Sequence, residues 1–361
     1  MRIFYTQLST PELYINKIFL ELMIMEMKDT TIEGLKKERK LSNKNKIFRY
    51  IKFFLIPGWR DPVFSQREYE IEKTKSKRRF FRRLIKPLTL VGIGLIFFIV
   101  FLAIYAPWIA IYTLETVVDV SKAIDFGEPY TLPSALHPWG TTAYAFDLYS
   151  RIIWGARTAI TFGILTIIIA SLGGIVVGTI SGYYGGKVDT IIMRIVDFSL
   201  AFPTLVIVII FTEMISRDLI TILLIFGMFA IPSYSRLMRA SVLETKQQLY
   251  IEAAKTSGAR NFKIMFKHIF ANSISPIIIR FFGGVGVAIL GFAGIAFLGF
   301  GDESIPDWGT DINYGRGYLS MIHTTLFPGI FILITVLGFM LLGDGLRDAL
   351  DPRLKTTGKQ R

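Results

Sequence analysis

Long uncharged apolar runs alternate along this chain with short charged stretches, and that spacing fixes its class. Pro87 to Leu114 carries no charged residue, and neither does Thr158 to Gly186. A helix needs roughly 20 apolar residues to cross the hydrocarbon core. Only internally closed hydrogen bonding survives there, so each run predicts a membrane-spanning helix. Ile191 to Phe211, with Arg194 and Asp197 near one end, predicts a third span. Leu219 to Ser235, short and with Pro232 near its end, predicts a fourth. Ser273 to Phe300, interrupted only by Arg280, and Thr324 to Gly343 complete a set of six. The expected fold class is an all-α polytopic membrane protein with six transmembrane helices.

Composition agrees: 52% of the 361 residues are hydrophobic, and the mean hydropathy is +0.48, above what a soluble globular chain carries. The formal net charge is +13, which suits either nucleic acid or a membrane protein with basic cytoplasmic loops. Its location decides. Residues 1–87 hold 21 Lys/Arg against 10 Asp/Glu, and residues 236–272 hold seven against two. Residues 113–155 hold two against five, and 301–323 one against four. Basic loops resist translocation, so both termini are expected in the cytoplasm of an inner (plasma) membrane, with 113–155 and 301–323 outside. Because the basic residues flank spans, nucleic acid is excluded as a partner and membrane lipid is expected. Arg78, Arg79, Arg82, Arg83 and Lys86, just before the first span, read as an anchor on anionic lipid. Cysteine is absent and three histidines lie far apart, which argues against a disulfide framework or a metal site. Residues 13–27 are apolar but carry Lys17, Glu21 and Glu26 with no cleavage site after them. They read as an amphipathic cytoplasmic helix or an over-extended start, not a signal peptide.

The resulting organisation is a basic cytoplasmic extension (1–77), an N-terminal transmembrane helix (78–115) and an extracytoplasmic segment (116–156). A five-helix core (157–347) with a long loop at 236–272 and a cytoplasmic tail (348–361) follow. Within the loop, Leu249, Tyr250, Ala253, Ala254 and Ser257 follow helical spacing. Gly258 supplies a helix stop, because glycine takes the left-handed conformation without strain. A second amphipathic stretch follows, with Phe262, Met265, Phe266 and Ile269 expected on one side. A helix, a glycine turn and another helix are therefore expected to lie across the cytoplasmic face. Small Ala253 and Ala254 would let another backbone approach, Glu252 offers a charge, and Lys255, Arg260, Lys263 and Lys267 rim the rest. On physics alone such a pair suits a mechanical coupler or a helix lying on lipid about equally.

Glu252-Ala253-Ala254, Gly258 and His268-Ile269-Phe270-Ala271-Asn272 resemble the "EAA loop" of binding-protein-dependent ABC permeases, with Phe270 and Ala271 where leucine and proline are usual. Further segments are similar to the C-type subunit of the dipeptide/oligopeptide/nickel permeases. They are Gly182-Tyr183-Tyr184-Gly185-Gly186-Lys187-Val188-Asp189, Arg194-Ile195-Val196-Asp197 with Phe202-Pro203, and Phe297-Leu298-Gly299-Phe300-Gly301 with Pro306 and Trp308-Gly309. The run Gly343-Asp344-Gly345-Leu346-Arg347-Asp348-Ala349-Leu350-Asp351-Pro352-Arg353 is the most specific. Residues 137–158 have drifted: Thr142, Ala145 and Phe146 stand where the pattern has Asp, Gly and Arg. The resemblance, over about residues 78–353, implies a type I ABC importer permease fold. It implies a heterodimer with a homologous permease, two ABC ATPase subunits that use ATP and magnesium, and an extracytoplasmic substrate-binding protein. It further implies a coupling helix at Glu252, Ala253, Ala254, Gly258, His268 and Asn272 that docks in a groove of the ATPase. The implied cargo is a peptide or a related small solute such as nickel. A stand-alone channel or secondary transporter is the alternative, which would show inverted repeats or midplane broken helices.

No catalytic residue is expected. Gly185-Gly186-Lys187 lacks the Ser or Thr after the lysine and the earlier glycine that a phosphate loop needs, so a cytoplasmic turn is expected there and ATP is hydrolysed by partners. Asp197 is expected to pair with Arg194 three residues away. Arg280, an intramembrane charge, with Gly283 and Gly284 forms a candidate pathway or permease interface. Gly286, Gly291 and Gly294 add a small-residue face for close helix packing. Asp344, Arg347, Asp348 and Asp351 read as a structural charge cluster at the inner end of the sixth span.

Overall fold

A computed structural model of the chain describes residues 84–124 and 127–350. The expected helix at 13–27, the rest of the basic extension to Arg83, Asp351 and the tail lie outside those residues.

Among the described residues five helices are long and apolar enough to cross a membrane. α1 (Pro87–Ile109) starts with proline at its first helical position, where a missing N–H leaves no bond unmade. Beyond it the chain folds back at Tyr112–Val118, passes the short α2 (Val120–Ile124) and enters α3 (Leu148–Tyr184). α3 begins at Leu148 rather than Thr158 because the Asp147 carboxylate accepts a hydrogen bond from the Ser150 N–H at 2.8 Å, capping it. Arg157, the charge that closed the apolar run in the sequence, lies inside the helix and is exposed, and Arg151, further back in the same helix, is 1% exposed.

The third expected span is not straight. α4 (Gly186–Leu200) and α5 (Thr204–Ile215) meet at an angle of 82°, so the count reaches six only with this bent pair as one broken span. Pro203 is the cause: it has no N–H to donate, and its ring pushes Phe202 out of the helical region. The fourth span is longer than expected. α6 (Leu219–Lys246) continues through Pro232 and past Ser235. Its polar continuation is held from outside, Arg236 and Arg239 reaching carboxylates on α4. Residues 236–246 of the expected loop therefore belong to this helix. α6 runs along α3 at close range, with Gly174, Gly178 and Gly182 of α3 against Tyr234, Ser235, Met238 and Val242. A Cβ at Gly182 would sit 2.8 Å from the Val242 side chain, so only glycine permits this approach.

α6 is followed by α7 (Leu249–Thr256), α8 (Asn261–Lys263), a π-helical stretch Ile264–Ile269 and α9 (Phe270–Ser273). Then come α10 (Ser275–Ile295) with a π-helical end at Ala296–Phe300, α11 (Trp308–Gly315) and α12 (His323–Leu350). The core lies among α3, α6, α10 and α12, around Phe162, Ile289, Phe292 and Val336. Phe162 stacks on Phe292 with ring centroids 4.3 Å apart. Of the expected small-residue face on α10, Gly284 lies against Tyr234, Gly286 against Val336 and Gly291 against Phe226. A Cβ at Gly283 or Gly294 would meet nothing within 4 Å, although Gly343 of α12 comes up against the Gly283 backbone.

At the end of the bundle where α1 finishes and α3 begins, connecting segments form a polar cap. Arg151 Nε donates to the Asp311 carboxylate of α11, and its NH1 donates to the Val117 carbonyl at 2.6 Å. Both ion-pair partners are buried. The Trp308 indole donates to the Ile152 carbonyl at 3.0 Å, and Asp307 caps α11 through the Gly309 and Thr310 N–H groups. Ala145 sits here at φ 62, in the left-handed region that glycine occupies freely. That explains the glycine of the family pattern at this place. At the opposite end Lys86 Nζ donates to Asp348 of α12 at 2.5 Å. Asp348, expected in a cluster within its own helix, thus ties α12 to the start of α1.

Candidate coupling site

α7 is short, and its end is set by backbone geometry. Gly258 has φ +73. Its N–H donates to the Lys255 carbonyl at 3.0 Å, and the Ala259 N–H reaches back to the Ala254 carbonyl at 3.2 Å. These two bonds are those of a Schellman cap, and Ala254 and Ala259 on either side of it are partly buried against the core. A Cβ at Gly258 would meet nothing within 4 Å, so backbone conformation, not space, calls for glycine.

The expected helix, glycine turn and second helix are all present, but the second helix has a different buried face. Ile264, Met265 and Ile269 are buried, whereas Phe262 is 70% and Phe266 47% exposed, their rings 4.5 Å apart. The four residues expected on one side are split because Ile264–Ile269 is π-helical, with the Phe270 N–H donating to the Met265 carbonyl. Its wider turn rotates the face. On α7 the anchor is Ile251, fully buried, while Leu249, Tyr250, Glu252, Ala253 and Lys255 are exposed and Ala254 is half-buried. Arg260, Lys263 and Lys267 rim the outer surface. His268 is half-buried, and the exposed Asn272 turns its amide back on its own helix, donating to the His268 carbonyl at 2.6 Å.

Polar contacts that the sequence does not announce fasten this unit to the bundle. Ser273, 1% exposed, donates to Thr245 Oγ1 at 2.8 Å at the end of α6. The Tyr183 hydroxyl at the end of α3 donates to Asn261 Oδ1 at 2.7 Å. Lys246 Nζ donates to the Tyr183 carbonyl at 2.6 Å. Next to it, Asp189 on α4 accepts two bonds from Arg239, both at 2.5 Å, and one from the Ser181 hydroxyl. Asp197 does not pair with Arg194. It accepts from Arg236 at 2.7 Å, because α4 lies beside α6 and brings that guanidinium within reach. The only sequence signal for Tyr183 and Asp189 is their place in the Gly182–Asp189 motif, which forms the expected turn, with Gly185 at φ +68 and Gly186 at φ +53.

Arg280 lies apart from these residues, exposed on α10, and its carbonyl accepts from the Tyr234 hydroxyl at 3.2 Å. The structure therefore brings Glu252, Ala253, Ala254 and Gly258 together and sets His268 and Asn272 on the adjoining helix. Arg280, Gly283 and Gly284 form a separate group. Among the described residues no group of His, Asp and Glu is arranged to hold a metal ion.

The chain is 35% identical over 282 residues to the glutathione transport system permease protein GsiD of Pectobacterium atrosepticum, covering 77% of this chain and 92% of that protein. It is 36% identical over 282 residues to the dipeptide transport system permease protein DppC of Alkalihalophilus pseudofirmus (77% and 90%). To the probable D,D-dipeptide transport system permease protein DdpC of Escherichia coli K12 it is 37% identical over 276 residues (76% and 90%). Residues 174–356, which include the whole α7–α9 unit, match the family described as binding-protein-dependent transport system inner membrane component. With its multiple membrane helices, the short helical α7–α9 unit between α6 and α10, and relatives matched over nearly their full length, this chain belongs to that family and is the inner-membrane permease subunit of a binding-protein-dependent ABC importer.

Proposed function

We propose that this permease carries small peptides inward, as the C-type half of a heterodimer with a homologous permease. Two ATPase subunits supply the work through ATP and magnesium, and an extracytoplasmic binding protein delivers the cargo. The peptide assignment is supported by the relatives, whose names specify glutathione, dipeptide and D,D-dipeptide. Nickel, also compatible with the sequence resemblance, finds no support among those three. The α7–α9 unit is the contact with the ATPases, and both chain termini, the basic segment 1–77 among them, lie on its side of the membrane. Residues 116–156 lie on the far side.

The observation that carries this reading is the build of the lever. Ile251, Ile264 and Ile269 fix it to the bundle, while Leu249, Tyr250, Glu252 and Ala253 stand outward. Leu249 is 81% exposed, an apolar surface that a protein groove would cover. ATP-driven closure of the ATPases then pushes a rigid handle, and nucleotide shifts the inward-open and outward-open populations by its differential affinity for the two.

The test is Glu252→Ala and Gly258→Asp in the complete complex. ATPase subunits are expected to be lost on purification, and uptake with them, while membrane insertion of this chain persists. Unchanged association and uptake overturn the reading, as a lever lying on lipid alone would give. Uptake of alanyl-alanine, glutathione and Ni²⁺ by cells with and without the transporter tests the cargo. Ni²⁺ uptake alone overturns the peptide assignment.

A further inference from the structure

The lever is joined to α6 by chain connectivity, so force through α6 needs no special device. The bent pair α4–α5 is different. On α4 only Val196 is buried, so apolar packing fixes it weakly, and its position rests on polar contacts: Asp189 near its first turn and Asp197, held by Arg236 of α6, near its last. The contacts toward the first turn begin at Tyr183. This ring is 7% exposed, its hydroxyl holds Asn261, the first residue of α8, and its carbonyl is held by Lys246. Lys246 Nζ also lies 5.8 Å from the centre of the ring. Immediately beyond it, Gly185 and Gly186 form a left-handed joint into α4, and a Cβ at Gly186 would meet nothing within 4 Å. Past the joint, Asp189 is clamped by Arg239 and Ser181.

We infer that Tyr183 is a positioning residue: its hydrogen bond to Asn261 carries lever movement across to the Gly185–Gly186 joint, so that α4 swings with the lever. The inference rests on the coupling reading above. Apolar contacts such as those of Ile264 and Ile269 are non-directional and let surfaces slide. A hydrogen bond holds a distance and an angle, and this is the bond that runs between the lever and the end of α3. The pairs Asp189–Arg239 and Asp197–Arg236 then set the path, keeping α4 against α6 as it moves.

The chain has no cysteine, so paired spin labels can be placed on it without first replacing thiols of its own. Labels at Lys187→Cys, at the start of α4, and Arg347→Cys, near the end of α12, both exposed, report the swing in the complete complex in lipid nanodiscs. Their separation is compared without nucleotide and with ATP plus vanadate. The separation is expected to change in the labelled parent. Most of that change is expected to vanish in Tyr183→Phe and Asn261→Ala, with ATPase subunits still bound and ATP still hydrolysed. It should persist in Asn261→Asp, whose carboxylate accepts the same bond. A full change in Tyr183→Phe overturns this inference alone. No change in the parent while ATP is hydrolysed overturns the coupling reading and this inference with it.

Discussion

Replacing Gly258 with alanine perturbs the lever at one defined point. The residue sits at φ +73 with open space where a Cβ would go, so the substitution introduces no clash and acts through backbone strain. That strain is about 1–2 kcal/mol for an L-residue in the left-handed region. The chain could escape by abandoning the turn. It would then lose the bonds from the Gly258 and Ala259 N–H groups, each about 1 kcal/mol net. It would also drag Ile264 and Ile269 from full burial, at about 1.5–3 kcal/mol each. Escape costs more than strain, so the turn survives, weakened. Local opening of α7 should become roughly 5- to 30-fold more frequent, the ratio that corresponds to 1–2 kcal/mol. Hydrogen exchange of the Leu249–Thr256 amides reads this directly. Gly258→Asn should accelerate exchange less, because asparagine tolerates the left-handed region. Gly283→Ala is the control, since a Cβ there also meets open space but the residue lies within a helix. If Gly258→Ala exchanged no faster than that control, the cap would not be what orders the lever.

Arg151→Met should lower stability by about 3–5 kcal/mol, the cost of leaving one partner of a buried ion pair behind. Thermal unfolding in detergent measures it, and adding Asp311→Asn should recover most of the loss. Burial pushes the Asp311 carboxyl up to about 6, against the pull of Arg151, and burial raises Asp307 beside it. The ordinary aspartate value is about 3.9, so the folded state holds the extra proton between the two. This contribution is full below about pH 4 and is lost as pH rises through about 6. Exchange protection of Trp308–Gly315, corrected for intrinsic rate, should therefore be higher at pH 5 than at pH 7.5, and the reverse order would contradict the assignment. Gly182→Ile should force α3 from α6, since even a Cβ would lie 2.8 Å from Val242. The expected result is loss of monodisperse protein on size exclusion, which Gly94→Ala, in open space on α1, should not cause.

The membrane class, the broad order of the helices and the α7 helix with its glycine stop were legible in the sequence because each follows from local rules. Apolar run length sets a crossing, and φ > 0 calls for glycine at Gly258. Charges misled where they were read as ends. Arg157 and Arg236 closed apolar runs, yet both helices continue past them: Arg157 is exposed on α3, which runs on to the Asp147 cap, and Asp197 accepts the Arg236 guanidinium across the fold. Arg194 was the sequence neighbour for Asp197, but spatial proximity of α4 and α6 supplied Arg236 instead. The break at Pro203 was visible as a residue, though not its 82° consequence, and the π-helical turn that splits Phe262 and Phe266 from Met265 and Ile269 left no periodic signature. What sequence alone determined here is what one helix dictates to itself: the apolar run that makes it a crossing and, on α7, the glycine that ends it. What tertiary structure decided is which side chains meet across helices, Tyr183 with Asn261 and Arg239 with Asp189, because a hydrogen bond between elements depends on positions that no local pattern encodes.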